Sequence, residues 1–169
     1  LRQLEGYTIE TIRDDLGAPV WKGEIAIASE LNKEIVTSFP IDEALPDREP
    51  GIYVMSALPR GSQDESWNSR ATQFFVVSDI GISTFAGEDG LTVFARALSS
   101  AAAMADVDLT LLARNNEILG TARTDRAGKA VFTAGLTRGD GGMAPAVLVA
   151  KRGGADFVFL DMTRAGFDL

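Results

Sequence analysis

The stretch VDLTLLARNNEILGTARTDRAGKAVF, residues 107–132, restricts the fold of this chain more than any other. Val107, Leu109, Leu111 and Ala113 fall on one side of an extended backbone, and Asp108, Thr110 and Arg114 on the other. A period of two marks a strand with one buried face. Asn115-Asn116 follows, and Asn tolerates the left-handed backbone of a hairpin turn. Residues 118–124 read as a second strand. Asp125-Arg126-Ala127-Gly128 closes it, Asp opening the turn and Gly taking the positive φ of a bulged hairpin. Residues 129–133 return as a third strand with Phe132 as its aromatic anchor. The expectation is a β-meander set in a sandwich of two sheets.

Two absences narrow the chemistry. The chain holds no Cys and no His. Without Cys there is no disulfide, thiol nucleophile or cysteine zinc site. Without His there is no Ser-His-Asp triad and no histidine-bound transition metal. Zero Cys fits a cytosolic protein and many bacterial periplasmic proteins equally, and argues against a small disulfide-stapled secretory module. At 169 residues, 46% hydrophobic and 24% charged, the chain has the makings of one large domain or two small ones. No run approaches the ~20 apolar residues of a membrane span, and no basic-then-apolar leader precedes the first elements. The chain opens on Leu1 without Met, the expectation for a processed or excised piece whose targeting information lies elsewhere.

The net charge of −8 is uneven: residues 1–79 hold 7 Lys/Arg against 14 Asp/Glu, residues 80–169 hold 9 against 10. An acidic chain repels phosphate backbones, so no nucleic-acid partner is expected. A solvated acidic surface is the preferred account.

Along the chain, Leu4, Ile9, Ile12 and Leu16 share a helical face, Thr8 is a candidate N-cap, and Gly17 with Pro19 ends the segment. From Val20 the period becomes two: Trp21, Gly23, Ile25 and Ile27 alternate with polar or small neighbours. Residues 35–41 (Ile35, Thr37 and Phe39 on one face, Pro40 at an edge), 51–58 and 74–77 are further strands. An acidic loop with Pro46 and Pro50 and a polar loop at 59–71 separate them. Four strands and a helix fall short of the about seven that a sandwich uses. Residues 1–78 are therefore expected to form an incomplete module lacking its first strands, unless these strands complete one larger domain. Ser78-Asp79-Ile80-Gly81 marks the handover. Residues 79–169 carry seven strands, at 82–86, 91–98, the three of the opening stretch, 146–151 and 157–162. That is the pattern of a complete immunoglobulin-like sandwich.

Residues able to carry chemistry are few. Glu88-Asp89 and Asp106/Asp108 are the closest carboxylate pairs, but a calcium site needs several converging oxygens, and solvated turns account for both. Arg138-Gly139-Asp140 spells an adhesion tripeptide in a Gly-rich loop, where chance matches arise easily. Gly139, Gly141 and Gly142 lack the strand-to-helix setting of a phosphate cradle. Trp21 reads as core, and Trp67 as a plug under its polar loop or a partner contact. The strand at 91–98 is apolar on both faces, with Leu91, Val93 and Ala95 on one and Phe94 and Leu98 on the other. That points to burial against a neighbouring domain or beneath loops of the same module. No residue is assigned a catalytic, cofactor-binding or metal-binding role.

WKGEI at 21–25, LNKEIVT at 31–37, PGIYV at 50–54 and VVSDIGIS at 76–83 resemble one segment of the bacterial alpha-2-macroglobulins. LLARNNEIL at 111–119, TDRAGKA at 124–130 and LVAKRGGADFVFLD at 148–161 continue it in order. The resemblance runs from about Leu4 to Leu169, and the combination of WKGE, SDIG and ARNNE is its specific part. It implies two consecutive macroglobulin-like antiparallel β-sandwich modules, the first incomplete and carrying a short N-terminal helix. It also implies a place in a long periplasmic protease trap, often tethered to the inner membrane through a lipidated N-terminus. In that family a protease cuts a bait segment and is enclosed, and many members also link it through a Cys-Gln thioester. This Cys-free piece cannot hold the thioester.

The expectation is thus a structural, non-enzymatic segment of a broad-spectrum protease inhibitor. Its partners would be neighbouring domains of the same polypeptide and, through the full-length protein, target proteases, with no cofactor and no membrane span of its own. The alternative is a stand-alone extracytoplasmic β-sandwich binding or adhesion module, for which only Trp67 and Phe85 supply aromatic contacts. A carboxylate hydrolase ranks last.

Overall fold

Alternating side chains make a strand only where a second layer covers the apolar side, and the two ends of this chain differ in that respect. The computed structural model of the protein describes residues 15, 17–61, 70–154 and 156–163. The helix read from Leu4, Ile9, Ile12 and Leu16, and the Trp67 reading, lie outside the described residues. Backbone contacts divide the chain into two compact units, one of Leu1–Glu49 and Val54–Phe75, the other of Pro50–Tyr53 and Val76–Leu169.

The first unit corrects two expectations. Residues 17–40 form no strand, although 20–27 and 35–39 have the alternation. Among the described residues no side chain before Ile80 is fully buried, and Ile27, Leu31 and Val36 are exposed. With these apolar side chains left exposed, alternation alone does not make a strand. Trp21 is not core: it is 44% exposed and meets Phe39 edge to face at 5.2 Å. Pro40 leads instead into a single helical turn, α1 (Ile41–Ala44), where Leu45 N–H donates to the Ile41 carbonyl at 2.8 Å. Arg48 holds that turn, 2.7 Å from Asp42 and donating to the Leu45 carbonyl at 3.2 Å. Strands β1 (Gly51–Ala57) and β2 (Ala71–Val77) pair as a two-stranded sheet.

From Ile80 the chain forms seven strands: β3 (Ile80–Gly87), β4 (Gly90–Ala97), β5 (Asp108–Ala113), β6 (Ile118–Arg123), β7 (Lys129–Thr133), β8 (Pro145–Arg152) and β9 (Asp156–Asp161). They make a three-stranded sheet in the order β3-β4-β7 and a four-stranded sheet in the order β6-β5-β8-β9. Every pairing in the two is antiparallel. The described residues are thus almost all-β with little helix, and those from Ile80 onward form an immunoglobulin-type sandwich. Val107, Leu109 and Leu111 turn inward as their alternation predicts, to meet Leu91, Val93, Phe132 and Leu148 in one core. Each such side chain contributes roughly 2 kcal/mol by leaving water.

The opening stretch is a hairpin and a crossover rather than a meander. β5 and β6 pair across Asn115-Asn116, where Asn116 takes φ 67° and the Asn115 side-chain oxygen accepts from Glu117 N–H at 3.1 Å. β7, however, pairs with β4 and not with β6. The Asp125–Gly128 turn is locally hairpin-like: one Asp125 carboxylate oxygen accepts from Ala127 and Lys129 N–H at 2.8 and 2.9 Å. It nevertheless passes the chain from one sheet to the other. Gly128 takes φ 73°, and a Cβ there would collide with the Ala95 carbonyl oxygen, so the close approach of turn and β4 selects glycine. Buried Thr124 anchors the start of this passage, its hydroxyl accepting from Val107 N–H at 3.0 Å and donating to the Met104 carbonyl at 2.7 Å.

Candidate functional site

The acidic pairs singled out in the sequence are held by cations or turns. Arg123 on β6 faces Asp108 across the β5–β6 ladder. Its Nε and Nη2 donate to the two Asp108 oxygens at 2.8 and 3.3 Å, and its Nη1 lies 3.8 Å from Asp106. That hydrogen bond, opposed by desolvation and assisted by the positive charge of Arg123, holds the Asp108 carboxyl below its ordinary value. The same bond, with the negative charge of Asp108, raises Arg123. Glu88 and Asp89 form the two-residue turn between β3 and β4, closed by the Gly87–Gly90 pair. Among the described residues no three His, Cys, Asp or Glu side chains gather as metal ligands.

The RGD loop is tied down rather than free. Two short 3-10 turns, Ala134–Thr137 and Gly141–Met143, fold residues 134–143. Arg138 donates to the Glu88 carbonyl at 3.3 Å. Met143 N–H donates to the Asp140 carbonyl at 2.9 Å, and Asn115 N–H to the Gly142 carbonyl at 3.0 Å. Arg138, Gly139 and Asp140 thus sit within a loop anchored at both ends.

The junction SDIG has a role that its composition did not disclose. The Ser78 hydroxyl donates to Asp156 at 2.6 Å and accepts from Ile80 N–H at 3.0 Å. The Asp79 carboxylate takes Ser99 N–H and Oγ at 2.8 and 3.1 Å. The partners, Asp156 and Ser99, lie far along the chain, so no local motif could signal them. These bonds fasten the entry of β3 to β9 and to the end of β4.

The outer face of the three-stranded sheet is the site with an unspent apolar surface. The β4 residues Leu91, Val93 and Ala95 are in the core, while Phe94 points outward and meets Phe85 edge to face at 5.9 Å. Phe85 is 62% exposed, Leu98 68% and Val131 48%. Of the two accounts of the two-faced strand, cover within the same module fits half-buried Phe94, which meets Phe85, and does not fit exposed Leu98. Val131 went unread in the sequence because Phe132 beside it carries the inward signal. Its own alternation with Ala130 and Phe132 was the available clue.

Sequence comparison decides the family. A family model described as the bacterial alpha-2-macroglobulin MG3 domain matches residues 77–169. An alpha-2-macroglobulin of Xylella fastidiosa strain 9a5c is 32% identical over 155 residues, covering 92% of this chain. The chain belongs to the bacterial alpha-2-macroglobulin family. The corresponding protein of strain Temecula1 is 31% identical over the same length, and in both the match spans 9% of the relative. The chain therefore corresponds to a small part of these macroglobulins. Structures agree on the fold. Native alpha-2-macroglobulin from Escherichia coli spanning domains NIE-MG1 superposes with TM-score 0.67 at 22% identity, over 86% of this chain and 64% of that one. The cryo-EM reconstruction of the native conformation of E. coli alpha-2-macroglobulin gives TM-score 0.55 at 20% identity, over 97% of this chain and 10% of that one. Shared fold at such identity does not choose between macroglobulin domains, so the MG3 correspondence rests on the sequence match. No helix among the described residues is long and apolar enough to cross a membrane.

Proposed function

We propose that this chain is a scaffold segment of a bacterial alpha-2-macroglobulin that traps proteases, holding neighbouring domains in place without catalysing a reaction itself. The observation that carries this reading is the continuous match over 92% of the chain to relatives of the family. It joins a sandwich in which the Asp108–Arg123 pair, the Asp125 turn and the Ser78, Asp79 and Thr124 fastenings serve the fold. Two modules, residues 1–78 lacking its first strands and 79–169 complete, are part of the proposal, and a family match starting at residue 77 supports that division. A periplasmic location and a lipid tether to the inner membrane belong to the same proposal, with the family resemblance as their support. Proteases would be partners of the full-length protein, and neighbouring domains the partners of this segment.

The test is made on the full-length polypeptide. After exposure to proteases of different classes it is expected to block cleavage of large protein substrates while leaving small-peptide hydrolysis intact, because an enclosed protease keeps its active site. A polypeptide that leaves cleavage of large substrates unchanged refutes the trapping role. Cell fractionation checks the location, and recovery in the cytosol refutes it.

A further inference from the structure

The four methionines of the chain stand in different surroundings. Met104 is buried in the sandwich, Met162 packs against its core, and Met55 is half-buried on β1. Met143 is 42% exposed, and its sulfur accepts a hydrogen bond from the Asn115 side-chain amide at 3.5 Å. The backbone on either side of it is fixed. Asn115 N–H donates to the Gly142 carbonyl and Arg114 N–H to the Ala144 carbonyl, each at 3.0 Å. The Asn115 amide is fixed as well: its oxygen accepts from Glu117 N–H at 3.1 Å, which leaves its NH2 end turned to the sulfur. A good donor is thus aimed at a thioether, which is a weak acceptor.

We propose that Met143 is a reversible oxidation site, and that its sulfoxide clasps the loop of residues 134–143 to the β5–β6 turn. Hydrogen peroxide is the oxidant. The sulfur lone pair takes one oxygen atom, the O–O bond breaks and water leaves, the sulfur giving up two electrons to the peroxide. A methionine sulfoxide reductase restores the thioether, with thiols supplying two electrons and water carrying the oxygen away. The sulfoxide oxygen is a much stronger acceptor than the sulfur, and the Asn115 NH2 group already points at it. A sulfoxide at Met104 or Met162 would bring a polar group into the core and loosen it. At Met143 the new oxygen has solvent on one side and a donor on the other. Because the neighbouring backbone is already bonded to β5 and its turn, the flexible thioether side chain alone makes the adjustment. The inference stands apart from the trapping role, since it uses only this loop and this turn.

Titration with hydrogen peroxide, read by peptide mass spectrometry, tests the idea on this 169-residue chain and on the full-length polypeptide. Met143 is expected to gain one oxygen several-fold faster than Met104 and Met162 in both lengths. In the singly oxidised chain, amide hydrogen exchange at Glu117 should slow several-fold, and the melting temperature should not fall. Methionine sulfoxide reductase should reverse the mass change and the slowing together. Asn115→Asp keeps the acceptor for Glu117 N–H and removes the donor to the sulfur, so it should oxidise at Met143 without the slowing. Met143→Leu should show no slowing after peroxide. Exchange at Glu117 that is unchanged or faster once Met143 is oxidised overturns the proposal, as does a slowing that survives Asn115→Asp. So does a Met143 that resists peroxide in the full-length protein.

Discussion

Thr124 is the one polar residue among the described ones to be buried, and both bonds of its hydroxyl go to backbone groups at the start of β5. Replacing it by Val keeps the volume and strands the Val107 N–H and the Met104 carbonyl away from water. The expected cost is about 1–3 kcal/mol, measured as a lower urea midpoint. Thr124→Ser, which restores the hydroxyl, should recover most of it. Equal midpoints for wild type and Thr124→Val would show that water reaches these groups. The Asp108–Arg123 pair behaves differently because both groups are exposed and screened by solvent. A carboxyl held below its ordinary value in the folded state adds stability above its unfolded value and loses it as pH falls through the folded one. The stability gap between wild type and Asp108→Asn is therefore expected at neutral pH. It should shrink below the ordinary carboxyl value of 3.8, and high salt should narrow it at every pH. A gap that persists in strong acid would contradict the assignment to this ion pair.

At the scale of elements, hairpins test how tightly the turns are specified. Gly90 closes the β3–β4 turn with φ 131°, and a Cβ there would collide with the Phe132 carbonyl oxygen. Gly90→Ala is expected to cost about 1–3 kcal/mol, seen as a drop in melting temperature. Phe132→Ala should cost about 3–5 kcal/mol, since that ring lies in the core shared by both sheets. A smaller loss at Phe132 would mean the two sheets collapse onto the vacated space. Much of the second unit was legible in sequence, because Val107, Leu109, Leu111 and Phe132 sit in runs whose period of two matches an actual inner face. Asn115-Asn116 and Asp125–Gly128 were legible as turns, because side-chain acceptors and positive φ leave local marks. Which strand receives β7 was not legible: the Asp125–Gly128 chemistry is the same whether the chain returns to β6 or crosses to β4. Residues 20–27 misled for the converse reason. Their alternation records a fit to a covering layer, whereas Trp21, Ile25 and Ile27 are exposed. The outer apolar face was half read, Phe94 and Leu98 through the run at 91–98, while the inward signal of Phe132 masked the outward place of Val131.

At the scale of the whole molecule, burial divides the chain unequally. Every fully buried side chain among the described residues belongs to Ile80 or later, and a two-stranded sheet alone is marginal in water. Residues 76–169 expressed alone are expected to melt in one cooperative transition, and residues 1–75 alone to show none by circular dichroism or calorimetry. A sharp transition in the shorter N-terminal piece would overturn this division of stability. It would also mean that Trp21 and Phe39 nucleate more than the pair contact described. The Ser78–Asp156 and Asp79–Ser99 bonds sit where the sandwich begins, so a Ser78→Ala, Asp79→Ala variant should loosen the entry of β3. Faster amide hydrogen exchange at Ile80 and Leu98 is the expected readout, with the far end of the sheet unchanged.

The crossing of the chain at Asp125–Gly128 also sets a tempo. The β3–β4, β5–β6 and β8–β9 hairpins join near neighbours, but β4 with β7 and β5 with β8 bring together residues as distant as Gly90 and Thr133, or Asp108 and Lys151. Such remote partners must find one another before their burial rewards the closure of the intervening loops. The hairpins should therefore assemble early and the ladder between β4 and β7 late. In a chain made of many domains, this is the interval in which wrong strands from a neighbour have time to take the place of β7.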